Sequence, residues 1–139
     1  MAIKAYLDSD VVISSLISAK GAAYILITHK DLELFISNSS LEEQERVIER
    51  LGLDKKKWNS LVINKFYTIK LKALKSQHRY DQYVSDPNDA HILAGAKQAK
   101  AKFLITYNMK HFKVELIKKD LKINMMTPAI FLQYLRSLN

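Results

Sequence analysis

The sequence predicts a single α/β domain over residues 1–139, in which a central, mainly parallel sheet is covered by helices on both faces in three α/β/α layers. Two observations predict this class. Helical segments alternate with short strands along the chain, and the strands are nearly continuous apolar runs, which is typical of parallel strands buried on both faces. The length of 139 residues fits one hydrophobic core, and we find no internal repeat or linker.

The first half of the chain predicts two strands and four helices. The strands are AIKAYL at 2–7 and LELFIS at 32–37. Between them, DVVISSLIS begins one helix and residues 21–30 form another. Residues 39–52 carry a Ser cap, early acids and a terminal Gly, which are helix start and stop signals. Residues 54–75 are predicted as one long basic helix whose buried face carries Trp58, Leu61, Val62, Phe66, Ile69 and Leu74.

The second half predicts two more strands and two more helices. Residues 78–86 are interpreted as a short extended connection. A helix at 87–100 follows, with Asp86 as its N-cap and Pro87 at its first position. The remaining elements are a strand at 101–106, a turn or short helix at 107–112, a strand at 121–127 and a helix begun by Pro128 at 128–138.

The composition limits the possible chemistry. The chain has no Cys, which excludes disulfides, thiolate metal sites and cysteine catalysis. The four His residues are scattered without zinc-motif spacing. Any metal would therefore be held mainly by oxygen, which favours Mg²⁺ or Mn²⁺. No apolar stretch is long enough to span a membrane and no signal segment is evident, so a soluble, cytoplasmic protein without a membrane partner is expected.

The net charge of +8 is unevenly distributed along the chain. Residues 1–50 have a net charge of −3, residues 51–83 have +6 and residues 84–139 have +5. A basic body around a small acidic centre suits a polyanionic ligand that is approached through a divalent cation. A basic surface that serves only solubility is the simpler explanation of the charge taken alone.

Several acidic and polar residues are predicted to meet at one edge of the sheet. Sites in such sheets form at the carboxyl ends of the strands. Asp8 and Asp10 follow the first strand, Ser37 ends the second, and Asn108 follows the strand at 101–106. Each acid also has a structural explanation, since Asp8 or Asp10 could cap a helix. Asp86 and Asp89 likewise have the spacing of a capping pair, which explains one of them.

One acid on the helix at 39–52 could also face this edge. Glu43 precedes the apolar Val47 by four residues, so it borders the buried side of the helix. A lone Glu on a helix is usually solvated, and that explanation stays open.

The stretch YLDSDVV resembles the first motif of haloacid-dehalogenase-type phosphatases, an apolar strand followed by Asp-x-Asp. That resemblance implies Asp8 as nucleophile and Asp10 as general acid. The family also needs an acidic pair after a later strand, typically beside Gly, and ITYNMKHF contains neither. The resemblance is therefore confined to one motif.

Four stretches in series resemble PIN-domain ribonucleases, in particular the PilT N-terminus-like and VapC-like toxin group. YLDSDVVISSL is similar to the first motif of that family, and LFISNSSLEEQERVIERL places Glu43 six residues after a strand-end Ser, as the family does. SDPNDAHILAGAKQAKAKFLITYN resembles the Asp-Pro-x-Asp segment and the Thr-x-Asp/Asn turn, and INMMTPAIFLQYL the terminal strand and helix. The resemblance covers nearly the whole chain and implies a PIN-like fold.

The resemblance implies a metal-dependent endoribonuclease. Asp8, Glu43 and Asp89 would be the catalytic acids and would hold Mg²⁺ or Mn²⁺, so without metal one of them should have a raised pKa. Asn108 stands where the family often has Asp, which makes it a weaker ligand, and Asp10 could partly replace the missing charge. The residues implied to contact RNA are Ser37, Lys110, Lys113, Lys65 and Lys72, with the basic helix at 54–75.

The same resemblance implies possible partners and one alternative function. Members of the group often act as the toxin of a toxin-antitoxin pair and often dimerise, so RNA, an antitoxin protein and a second copy of the chain are possible partners. The alternative is a catalytically degenerate PIN domain that binds RNA or a protein without cutting.

Overall fold

The computed structural model describes residues 2–72 and 78–138, and within them it contains one five-stranded parallel sheet. The strands lie in the order β3-β2-β1-β4-β5, and every adjacent pair is parallel. Their bounds are β1 Ile3–Leu7, β2 Leu32–Ser37, β3 Phe66–Ile69, β4 Phe103–Ile105 and β5 Asn124–Met126. The predicted parallel sheet is therefore confirmed.

Helices cover both faces of this sheet, which confirms the three-layer α/β/α class. Three short 3₁₀ turns, His78–Tyr83, Pro87–Asp89 and Met109–His111, lie in the second half of the chain. The α-helices are α1 Ser9–Ile17, α2 Ala22–Ile27, α3 Asn38–Leu51, α4 Lys55–Lys65, α5 Ala90–Gln98, α6 Val114–Leu121 and α7 Pro128–Ser137.

Two hydrophobic cores hold the layers together, one on each face. The first packs α1, α2, α3, α4 and α7 against the sheet and includes the fully buried Leu7, Ile36 and Phe131. The second packs α5, α6 and the 3₁₀ turn at 78–83 against the other face, with Tyr6 and Leu104 fully buried. Side chains alternate along β1, so Tyr6 and Leu7 point to opposite cores. Both faces are apolar, as the continuous apolar strands predict.

The chain changes direction between β1 and β4, and this fixes where a site can form. From β1 the chain moves outward to β2 and β3, and then returns to place β4 on the other side of β1. Ligand sites in open parallel sheets lie outside the carboxyl ends of the strands at such a switch point. Asp8 follows β1 there, and its backbone N–H donates to the Ile105 carbonyl at the end of β4 (3.0 Å).

Helix starts follow the chemistry of their caps. The Ser37 hydroxyl accepts from the Ser40 N–H, while Ser40 Oγ accepts from the Ser37 N–H, so the two form a capping box that begins α3. The cap is therefore Ser37 and not a Ser of the predicted segment 39–52, whereas Gly52 ends the helix at φ 67° as the sequence indicates. Asp86 caps the turn that Pro87 begins, which is also as predicted.

The prediction of one long helix at 54–75 is wrong. Helix α4 ends at Lys65, and Phe66–Ile69 is strand β3, paired with β2 at the edge of the sheet. An aromatic and β-branched run favours a strand when a partner edge is available, and that partner is distant in sequence. Of the predicted buried face, Trp58 and Phe66 are buried, and Leu74 lies outside the described residues.

Two further differences concern the second half. Residues 78–83 form a 3₁₀ turn in place of the predicted extended connection, and Val84 makes an isolated antiparallel bridge with Phe112. Helix α6 was not predicted at all, although Ile117 on it is fully buried. Among the described residues, none of the helices has the length and apolar character needed to cross a bilayer.

Candidate active site

A cleft of about 450 Å³ lies at the carboxyl edge of the sheet. Its lining is partly acidic and polar and partly apolar, with the apolar part formed by Ile13, Ile17, Val47 and Ile92. No Lys or Arg is among the described residues that line it. The acidic and amide side chains come from four separate segments of the chain and are Asp8, Asp10, Glu43, Asp89 and Asn108. The fold therefore brings together the five residues that the sequence singled out for a metal site.

Asp8 both caps a helix and lines the cleft. Its Oδ1 accepts from the Ser9 N–H at 2.7 Å, and its Oδ2 accepts from the Thr106 hydroxyl at 2.8 Å. The side chain is buried at the end of β1. Burial, together with the neighbouring charges of Asp10 and Glu43, raises the pKa of Asp8 to about 7, against the lowering effect of the hydrogen bonds from Thr106 and Ser9. The expected raised pKa is found, but burial contributes more to it than repulsion between carboxylates.

Asp10 is held by the loop after β4. Its Oδ2 accepts from the Tyr107 N–H at 3.0 Å and lies 3.4 Å from the Thr106 hydroxyl. Within the described part of the chain, its Oδ1 is buried without a hydrogen-bond partner. Burial raises the pKa of Asp10 above the ordinary Asp value. Asp10 is thus a first-turn acid that ties α1 to β4 and keeps one free, buried oxygen.

Glu43 and Asp89 complete the acidic side from two other elements. Glu43 projects from the second turn of α3, and its charge acts on the pKa values of Asp8, Asp10 and Asp89. Asp89 begins α5 without capping it through its side chain. Burial and the charge of Asp86 raise the pKa of Asp89, while His111 opposes that increase. Asp86 supplies the cap and leaves the Asp89 carboxylate to the cleft.

A buried polar network lies behind the cleft and fixes the helices that carry Asp8 and Glu43. Trp58 Nε1 donates to Gln44 Oε1 at 2.9 Å, and Gln44 Nε2 donates to Ser9 Oγ at 3.4 Å. Gln44 and Ser9 are adjacent in sequence to Glu43 and Asp8. The network therefore fixes the position of α3 relative to the start of α1.

Three residues near the site were missed or left unassigned by sequence reasoning. Thr106 connects Asp8 with the loop after β4, since its hydroxyl donates to Asp8 and accepts from the Asn108 N–H at 3.0 Å. His111 Nδ1 lies 3.8 Å from Asp89 Oδ2. Burial lowers the pKa of His91, although the charges of Glu43 and Asp89 oppose that decrease. The sequence signals that could have found them were the family's Thr-x-Asp/Asn turn for Thr106 and the position near a strand end for His111.

The residues predicted to contact RNA do not share one surface. Ser37 is fully buried in the capping box, so it is a structural residue with no surface to offer RNA. Lys65 ends α4 just before β3 and lies at the opposite edge of the sheet from the cleft, so its contact with RNA stays a prediction. Lys110 and Lys113 are exposed beside the carboxyl end of β4, and exposed Lys72 follows the carboxyl end of β3.

The donor set fits a hard divalent cation, although the side chains do not converge on one point. Every polar side chain of the cleft offers oxygen, and a cation would satisfy the free Asp10 Oδ1 and favour the charged form of Asp8. As the side chains stand, no three Asp, Glu or His residues in the described ranges are close enough to hold one ion. Binding would therefore require rotamer changes of cleft carboxylates.

The fold and the cleft together define an α/β protein with a parallel five-stranded sheet and an acidic cleft at its switch point. The family model of the PIN domain matches residues 4–110. The chain belongs to the PIN-domain family, and the resemblance found in the sequence is confirmed at that level. The matched residues include the four acids and Asn108. Comparison with curated protein sequences gives no significant match.

Solved structures share this fold at low sequence identity. A toxin-antitoxin complex from Klebsiella pneumoniae contains a chain with TM-score 0.62 and 19% identity, covering 89% of this chain and 97% of its own. PAE2754 from Pyrobaculum aerophilum has TM-score 0.63 and 18% identity, covering 99% and 92%. VapC20 from Mycobacterium tuberculosis, a Sarcin-Ricin loop cleaving toxin, has TM-score 0.52 and 17% identity, covering 72% and 86%. These likenesses support the PIN-like fold.

Proposed function

We propose that the protein is a divalent-metal-dependent endoribonuclease that hydrolyses RNA phosphodiester bonds at the acidic cleft. One observation carries the proposal: four carboxylates from three separate parts of the chain line a single cleft at the switch point of a PIN-domain fold. Burying carboxylates together costs stability unless a ligand uses them. The raised pKa values of Asp8, Asp10 and Asp89 are a measure of that cost.

The residues of the cleft have separate tasks in this proposal. Asp8, Glu43 and Asp89 would hold Mg²⁺ or Mn²⁺, with Asn108 as a weaker neutral donor and Asp10 as a further possible ligand. A divalent ion supplies a water of lowered pKa and stabilises the charge on the phosphate that is attacked. Thr106 orients the Asp8 carboxylate through its hydrogen bond. Lys110, Lys113 and Lys72 are exposed near the carboxyl edge, where they would contact the RNA backbone.

A toxin role within a toxin-antitoxin pair is the cellular context that we infer. The Klebsiella structure is a toxin-antitoxin complex and VapC20 is a toxin that cleaves the Sarcin-Ricin loop. Both share the fold of this chain, which supports an antitoxin protein as a partner. A second copy of the chain is a further proposed partner. Co-expression with the product of a short neighbouring reading frame, followed by size-exclusion chromatography, would test the antitoxin.

Cleavage of single-stranded RNA with Mg²⁺ or Mn²⁺ tests the activity. We expect Asp8→Asn and Asp89→Asn each to lower the rate by at least about a hundredfold, because each removes one proposed ligand charge. Asp86→Asn and Glu42→Gln are the matched controls, since Asp86 caps a turn outside the cleft lining and acts on Asp89 only through its charge, and Glu42 is exposed beside Glu43. Both controls should cleave at the wild-type rate.

The same assay separates the alternative functions. Cleavage that survives both Asp8→Asn and Asp89→Asn would reject the proposed site. RNA binding without cleavage at any metal concentration would identify a degenerate PIN domain that acts as a binding module. The phosphatase alternative, with Asp8 as nucleophile, is not supported by the family match. It would require phosphate release from small phosphoesters.

A further inference from the structure

A second charged surface lies at the opposite edge of the sheet from the cleft, where β1, β4 and β5 begin. Two depressions of about 690 Å³ and about 480 Å³ adjoin each other there, because Asn124 lines both. Six exposed lysines surround them. We call this the amino-edge basic surface, and its lysines are Lys4, Lys100, Lys102, Lys118, Lys119 and Lys122.

The charge of this surface is not neutralised locally. Glu33 and Glu115 are the acids that line the two depressions, so lysines exceed acids by three to one. Over the described ranges of the chain, none of the six lysines takes part in an ion pair. A concentration of unpaired cations on one face attracts polyanions and favours their release at high salt.

Two of these lysines occupy backbone positions that normally favour glycine. Lys100 follows the last residues of α5 at φ 57°, and Lys122 ends α6 at φ 59°. A side chain in this left-handed conformation is disfavoured, and glycine is the usual residue there. A cation near a helix C-terminus offsets part of that cost through the helix dipole. The helix dipole accounts for one cation at each of these two helix ends. It does not account for the other four lysines of the amino-edge basic surface, which lie around the same two depressions.

We propose that the amino-edge basic surface binds the phosphate backbone of RNA at a distance from the cleft. This rests on the proposed function, and it narrows the substrate to RNA long enough to extend from one edge of the sheet to the other. Four carboxylates and, among the described residues, no Lys or Arg line the cleft, so it repels RNA until a cation binds. Much of the affinity for RNA must therefore come from elsewhere on the chain. Lysines act as point charges without sequence preference, which suits backbone contacts.

Fluorescence anisotropy in EDTA tests the binding separately from cleavage. The probe is a labelled single-stranded RNA of about 30 nucleotides, titrated at several salt concentrations. The variant Lys100→Gly/Lys122→Gly removes two charges and places glycine where the backbone favours it, so it should fold at least as well as wild type. The control Arg46→Gln/Arg50→Gln removes two charges from α3, which packs on the other face of the sheet.

We expect the lysine variant to bind about tenfold more weakly at low salt and to reduce the slope of log Kd against log salt by about 1.5. The arginine control should remain close to wild type. If both variants bind RNA equally weakly, the loss of affinity follows from net charge alone, and the proposal is overturned. Unchanged binding in the lysine variant would also overturn it. Polyglutamate that binds this surface without competing with the RNA would identify an acidic protein as the ligand, and would also overturn it.

Cleavage kinetics provide an independent readout. If the chain cuts RNA, the lysine variant should raise KM for the long RNA and leave both kcat and the cleavage of an oligonucleotide of about six nucleotides unchanged. Loss of kcat on both substrates would contradict a remote contact. If the chain does not cut RNA at all, the proposed activity fails, while the anisotropy result still decides whether the surface binds RNA.

Discussion

At the scale of single residues, Asp8 both caps a helix and lines the cleft, so the structural and the functional explanation of this acid do not exclude each other. Its Oδ1 accepts from the first N–H of α1, while its Oδ2 faces Thr106 and the cleft. A carboxylate has enough lone pairs to satisfy a helix end and still bind a ligand. The sequence identified both roles for Asp8 but gave no means of combining them, because the partner Thr106 is 98 residues away.

The raised pKa of Asp8 predicts how stability depends on pH when divalent ions are removed. With a pKa of about 7 in the folded state and an ordinary value when unfolded, Asp8 keeps a proton that the unfolded chain has lost. The free energy of unfolding should therefore fall as pH rises from about 4 to about 7. Asp8→Asn removes this dependence and keeps a good N-cap.

Urea denaturation in EDTA between pH 4.5 and 8.5 measures this effect. Relative to wild type, Asp8→Asn should gain on the order of 2 kcal/mol between the two ends of the range. Glu42→Gln, at an exposed position on the neighbouring helix α3, should change with pH as wild type does. Parallel curves for wild type and Asp8→Asn would show that the Asp8 proton is not retained on folding.

A second prediction at the residue scale concerns Asp10 and Asn108. Asn108 stands where the family often has a charged Asp, and Asp10 could supply the missing negative charge. Asp10 and Asn108 line the same cleft, and Oδ1 of Asp10 is buried without a hydrogen-bond partner among the described residues. We expect Asp10→Asn to weaken Mn²⁺ binding about tenfold, since the amide keeps an acceptor for the Tyr107 N–H but loses the charge. Adding Asn108→Asp to that variant should restore the affinity.

Isothermal titration with Mn²⁺ measures these affinities, with exposed Asp31→Asn as the control for loss of one negative charge. Unchanged affinity in Asp10→Asn would reject its role as the substitute charge. If Asn108→Asp does not restore Mn²⁺ binding to the Asp10→Asn variant, a carboxylate at position 108 cannot replace the one at position 10 in binding the ion.

At the scale of elements, local sequence patterns predicted most of the strands. They failed where pairing with a strand distant in sequence determines whether a segment becomes a helix or a strand. Strands β1 and β2 could be predicted within a residue, because β1 is a short, mostly apolar run and β2 is an alternating stretch rich in β-favouring residues. Residues 66–69 were assigned to a helix because their apolar spacing also suits one, and only the exposed edge of β2 selects a strand there. Helix α6 was missed because four of its eight residues are charged, and a single side chain, Ile117, is fully buried.

The packing of α5 on β1 also depends on a contact that the sequence does not reveal. Gly95 lies in the middle of α5, and a Cβ added there would be 2.6 Å from the Tyr6 ring. We expect Gly95→Ala to destabilise the fold by about 1–3 kcal/mol, because the helix must move away from a fully buried ring. Helix propensity alone predicts the opposite sign, since Ala favours helices.

Thermal and urea denaturation would measure this cost. Gly21→Ala is the matched control, because its nearest neighbour would be 3.7 Å away, which is an ordinary contact. Its stability should change little. A stabilised Gly95→Ala variant would mean that the contact between α5 and Tyr6 relaxes without cost.

At the scale of the whole molecule, charge is separated between the two edges of the sheet. The acids that line the cleft lie at the carboxyl edge, whereas the amino-edge basic surface surrounds the starts of β1, β4 and β5. Charge counts along the sequence found an acidic first third and a basic remainder. They could not show that Asp89 joins the acidic centre from the basic part of the chain, because that follows from the return of the chain to β4. Family motifs, which encode that topology, predicted it.

This separation predicts that divalent cations stabilise the fold and do so more strongly at high pH. A ligand at a hundredfold excess over its Kd adds about 2.7 kcal/mol to the free energy of unfolding, or about 9 °C in Tm for a chain of this length. At pH 8 Asp8 is mostly ionised and available to the ion, whereas at pH 5.5 its pKa of about 7 keeps it protonated. The ion must then displace a proton, so the shift in Tm should be clearly smaller at the lower pH.

Differential scanning fluorimetry with and without Mn²⁺ at both pH values measures the difference. Asp86→Asn should respond as wild type does, while Asp8→Asn and Asp89→Asn should show little shift at either pH. An equal shift at both pH values, or one that persists in Asp8→Asn, would place the stabilising ion outside the cleft.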